Sequence, residues 1–122
     1  MVQTDISQLT AETSEWRQIL RNYKQEFQDG EKALTDVCRK SIPKDQLQSV
    51  EHFHNQFHIQ LINIHDLKQN IKQHERKIDN PENISEEVYS EHETLLSEFI
   101  GLETTLQELR AEFKNFISQI SC

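Results

Sequence analysis

Residues 88–120 read VYSEHETLLSEFIGLETTLQELRAEFKNFISQI. Their large apolar side chains fall at steps of four and three: Val88, Leu95, Phe99, Leu102, Leu106, Leu109, Phe113, Phe116 and Ile120, with His92 the single interruption. That spacing draws one stripe along a helix built to lie against other helices. The same beat is legible twice earlier. Leu9, Trp16, Leu20, Tyr23, Phe27, Leu34 and Val37 keep heptad phase, which predicts a first helix over residues 7–41. Leu47, Val50, Phe53, Phe57, Leu61, Ile64, Leu67, Ile71 and Ile78 share a broad face, which predicts a second over 44–78, with Lys68 and Glu75 at seam positions. The third is predicted over 84–121.

Two short breaks separate the three. Ile42-Pro43-Lys44-Asp45 ends the first helix, since proline disfavours a helical residue before it and suits a first turn. Asp79-Asn80-Pro81-Glu82-Asn83 makes the second turn, with Asn80 or Asn83 as the candidate N-cap of the third helix. Gly30 is the one residue that could break the first helix. Phe27 and Leu34 stand seven apart across it and stay in register, which predicts a continuous helix. Helices of about 35 residues are about 50 Å long, and turns this short force antiparallel neighbours. The expected fold is therefore all-α, an antiparallel up-down-up three-helix bundle in one domain spanning 1–122. Three long helices with a Trp in the first resemble the layout of a spectrin-type repeat. The resemblance implies that fold and no activity.

Composition agrees with a helical domain and narrows its partners. Two glycines and two prolines in 122 residues leave few turn makers for a many-stranded fold. Acids outnumber bases 21 to 13, and the bases are interspersed with acids rather than gathered into a stripe, so nucleic acid is not an expected ligand. No run approaches the roughly 20 apolar residues of a membrane span, and Met1-Val2-Gln3-Thr4-Asp5 does not resemble a signal peptide. A cytoplasmic protein without membrane contact is expected. Cys38 and Cys122 form no C-x-x-C pair; Cys38 is expected inside, and Cys122 at a reduced end.

Candidate site residues fall into three groups. His54 and His58 lie one helical turn apart, with His65 seven further on along the same flank, a pattern that holds zinc or nickel if another helix adds ligands. Glu51-x-x-His54 matches half of a di-metal carboxylate motif, but Tyr89 stands where the second copy needs an acid. Glu75 and His92, brought to similar heights by the turns, are expected to form a polar layer in the core, with Thr13 or Trp16 beside them, that fixes register. Ile59 and Ile62, opposite the main stripe, and Leu96 with Ile100, on the flank of the third helix, are surplus to the core and are expected at a protein contact. No phosphate-binding glycine loop or nucleophile elbow is present. The expectation is a non-enzymatic bundle without cofactor that acts through a protein partner or self-association, as monomer or homodimer. The alternative is a metal-binding bundle using His54, His58 and His65.

Overall fold

The computed structural model describes the backbone of residues 2–38, 44–80, 82 and 85–120, and the side chains of 6–36, 44–80, 82 and 85–119. Among the described residues there are three helices: α1 (Val2–Cys38), α2 (Lys44–Ile78) and α3 (Glu86–Ile120). α1 runs through Gly30 unbroken, as the Phe27–Leu34 register requires. Residues 39–43 with Pro43, Asn83, and the side chains of Val37, Cys38, Ile120 and Cys122 lie outside the described residues. In the second turn Asn80 does not cap α3; its Oδ1 accepts the Glu82 amide at 3.1 Å, while the Ser85 carbonyl accepts the amides of Val88 and Tyr89 as the first turn of α3 closes. Among the described residues no helix is long and apolar enough to cross a membrane.

The three stripes meet in one interior, in the up-down-up arrangement. Phe27 of α1 packs on Phe57 of α2 (ring centroids 5.3 Å), and Phe53 of α2 on Phe116 of α3 (5.1 Å), as antiparallel neighbours do. α1 and α3 run parallel and touch through long side chains: Trp16 stacks with Phe99 at 5.9 Å, and Arg110 lies 5.2 Å over the Tyr23 ring. Gly30 is buried, and a Cβ there would stand 3.2 Å from the Phe57 ring, so the missing side chain is what lets that ring seat against α1.

One seam differs from expectation. On α2 the buried residues are Val50, Phe53, Phe57, Gln60, Ile64, Leu67, Ile71, His74 and Ile78, a strict alternation of three and four. Lys68 and Glu75 are half-buried on the flank, and Leu47, one residue off the ladder, is 43% exposed. Two ladders share Phe57, Ile64, Ile71 and Ile78, and differ in taking 60, 67 and 74 or 61, 68 and 75 between them. Each has one leucine among those three, so hydrophobicity alone does not separate them. The step from Val50 to Phe53 to Phe57 sets the phase that the structure keeps.

Candidate functional site: a histidine pair across the bundle

The core is divided near one end. Leu9, Ile78 and Val88 form a small apolar cluster beside the 79–85 turn, and the main cluster begins with Trp16, Ile71 and Leu95. Between them, one heptad position per helix is polar: Thr13, His74 and His92, with exposures of 0%, 1% and 4%. His74 Nε2 and His92 Nδ1 face each other at 3.0 Å. Outward from the pair, His74 Nδ1 meets Glu91 Oε1 at 2.6 Å, and His92 Nε2 meets Glu12 Oε2 at 2.9 Å. The chain continues to the surface on both sides, where Lys77 donates to Glu91 at 2.8 Å and Gln8 to Glu12 at 3.0 Å. All three helices contribute to this line, and every ring nitrogen has a partner. Trp16 covers it from the main core, its ring 4.8 Å from that of His92.

Three contacts link Glu91, His74, His92 and Glu12, and each needs one hydrogen. Two neutral imidazoles carry one each. Filling all three takes a third hydrogen and puts a charge on the pair, which the burial of His74 opposes. Burial holds the His74 pKa below 6.5, outweighing the attraction of Glu91, because the cation cannot be hydrated there. The carboxyl of Glu12 is held below its ordinary value first by the hydrogen bond from His92, and that of Glu91 first by the hydrogen bond from Lys77. Such a layer can fix register and titrate. With no ring nitrogen free and His74 sealed from solvent, it offers no group to a substrate.

Glu75 and His92 are thus not partners, a correction to the expected pairing. Glu75 Oε2 lies 3.0 Å from the Thr13 hydroxyl, and Arg17 Nε lies 2.8 Å from Glu75 Oε1 with its N–H off that line, an ion pair rather than a hydrogen bond. The height inferred from the turns was sound, since Thr13 meets Glu75 and Trp16 meets His92. The phase of α2 was one residue out, which put Glu75 in the place of His74. The three-four ladder through Val50 and Phe53 was the signal that could have found it.

The remaining candidates lie on the outside. His54, His58 and His65 are exposed along α2, and among the described residues no group of three or more His, Cys, Asp or Glu is arranged to hold a metal ion. His54 instead borders a shallow concavity with Gln28, Glu31, Lys32, Thr35 and Asp36 of α1. Ile59 and Ile62 are 45% and 47% exposed on the outer face of α2, and Ile100 is 54% exposed on α3. Leu96, the fourth residue expected at a contact, is less open than these three. It is half-buried and packs on the main core. Comparison with known proteins gave no matching family model, no matching curated protein and no matching solved structure.

Proposed function

We propose that this chain is a non-enzymatic cytoplasmic bundle that works through protein contacts, presenting rigid helix faces as an adaptor, spacer or regulatory subunit. The observation that carries the proposal is the pair Ile59 and Ile62. They lie one turn apart on α2, about half exposed, in a bundle whose inner positions are already filled by aromatic and aliphatic side chains. An exposed aliphatic pair of this kind gains by being covered, at about 25 cal/mol per Å² removed from water. Ile100 offers a smaller point of the same character on α3. The buried histidine pair supports the reading from inside, since a layer that holds three helices in one register keeps the outer faces fixed relative to one another.

Light scattering over a range of protein concentrations tests it through self-association. The wild-type chain is expected to gain apparent mass as concentration rises. The double variant Ile59→Asp, Ile62→Asp should keep its helical circular dichroism and stay at the monomer mass. Association unchanged by these two substitutions would remove this face from the contact.

A further inference from the structure

Thirteen Lys and Arg are scattered along the sequence, but folding gathers five of them on one side of the acidic molecule. The starting point is the Arg17–Glu75 pair, which aligns α1 and α2 at 2.8 Å. Moving one heptad along both antiparallel helices, away from the 79–85 turn, replaces Arg17 by Lys24 and Glu75 by Lys68. At that level a cation stands opposite a cation. Arg21 lies between Arg17 and Lys24 on the same flank, and Lys72 follows Lys68 by one turn. Arg21, Lys24 and Lys72 are exposed, while Arg17 and Lys68 are half-buried. Among the described residues Glu75 on Arg17 is the one ion pair in this cluster; the others are Lys77–Glu91 and Arg110–Glu26, with two more through the histidines. Burial first, and then the fields of Lys24, Arg21, Lys72 and Arg17, hold the Lys68 ammonium below its ordinary pKa, as an uncompensated cluster must.

We infer that the α1/α2 seam centred on Arg21, Lys24, Lys68 and Lys72 is a docking surface for a short acidic segment of a partner protein. Charge complementarity and extent both select that occupant. The cluster is bounded along the seam by carboxylates, Glu75 at one end and Glu31, one heptad beyond Lys24, at the other. From Arg17 to Lys24 is seven residues, about 10 Å of helix. A duplex or a membrane surface extends far beyond that length and meets the acids of a chain with a net charge of -8. A peptide with carboxylates on successive turns covers the cations and stops where the acids begin. The inference rests on the reading of the chain as a contact module, but uses a different face from Ile59 and Ile62.

The test is titration of the isotope-labelled chain with a capped octaglutamate peptide at low ionic strength, followed by amide chemical shifts. Shifts confined to residues 17–24 and 65–72 that vanish at high salt are expected. The double variant Lys24→Glu, Lys72→Glu changes two exposed positions and sets a carboxylate opposite Lys68, so the fold is kept. It should weaken binding at least about tenfold. The variant Ile59→Asp, Ile62→Asp should bind octaglutamate like the wild type. Absence of shifts in the cluster overturns the assignment, as does an equal or stronger response there to inorganic phosphate, a DNA duplex or phosphatidylserine vesicles. Octaglutamate failing to bind a chain that still associates through Ile59 and Ile62 refutes the acidic partner alone. Binding in a chain that never self-associates refutes that self-association alone.

Discussion

Acid should loosen this bundle well before its carboxylates are neutralised, and the histidine pair sets the size of the effect. In the folded chain burial opposes the cationic form of His74, and two hydrogens on each ring would set N–H against N–H across a 3.0 Å gap sealed from water. In the unfolded chain His74 takes up its second hydrogen below pH 6.5. The unfolded state thus binds up to one proton more, so stability falls as pH falls, by at most about 1.4 kcal/mol per pH unit. The sign agrees with the lowered His74 pKa. Between 6.5 and the ordinary carboxyl value of 4.5 the loss is bounded at about 2.7 kcal/mol, the limiting slope over two pH units. Below 4.5 the loss steepens, because Glu12 and Glu91 are held ionised in the fold and the unfolded chain protonates them first. Against a total of about 5–15 kcal/mol for an ordinary domain, this is a large share. Urea unfolding at a series of pH values measures it, with Trp16, the sole tryptophan and 5% exposed, as the fluorescent reporter. The double variant His74→Leu, His92→Leu should lose the slope between pH 6.5 and 4.5. At pH 7 it should be no less stable than the wild type, since an apolar pair replaces a buried polar one. A double variant that keeps the wild-type slope would refute the proton count.

Three further outcomes follow from individual side chains. His92→Ala alone should cost about 3 kcal/mol in urea unfolding at pH 7, because it opens a cavity beside Trp16 and leaves His74 Nε2 buried without a partner. Gly101→Ala should raise stability by about 1 kcal/mol, read as a melting temperature about 4 °C higher, because the site is exposed mid-helix and a Cβ meets nothing within 4 Å. Gly30→Ala should lower stability despite the same gain in helix propensity. Its Cβ would press at 3.2 Å on a Phe57 ring already held by Phe27, Phe53 and Phe113, and calorimetry of the two glycine variants gives opposite signs if that packing governs.

The bundle was readable from the sequence because heptad spacing is a local property of each helix. A side chain every three or four residues lands on one stripe whatever it packs against, and Phe27 and Leu34 carried α1 through Gly30 on that basis. The bounds of α2, Lys44–Ile78, follow from Pro43 and from Asp79-Asn80-Pro81 in the same local way. The height of the polar layer was also within reach, since two short turns fix which levels meet. What each polar residue would touch was not. Glu75 and His74 are neighbours in sequence and differ by about 100° around the helix axis, and the choice between them depends on which rotation fills the space facing α1 and α3.

Sequence by itself determined three helices, their approximate lengths and the stripes of α1 and α3, because backbone hydrogen bonding and apolar periodicity act within a few residues. Tertiary structure alone decided that His74 rather than Glu75 faces His92, that Leu96 is half covered, and that Arg17, Arg21, Lys24, Lys68 and Lys72 share one surface. Those outcomes depend on the rotation of one helix against another and on the pairing of α1 with α2 across more than forty residues of chain. Coulomb forces, ring packing and hydrogen bonds between residues far apart in sequence leave no periodic trace along it.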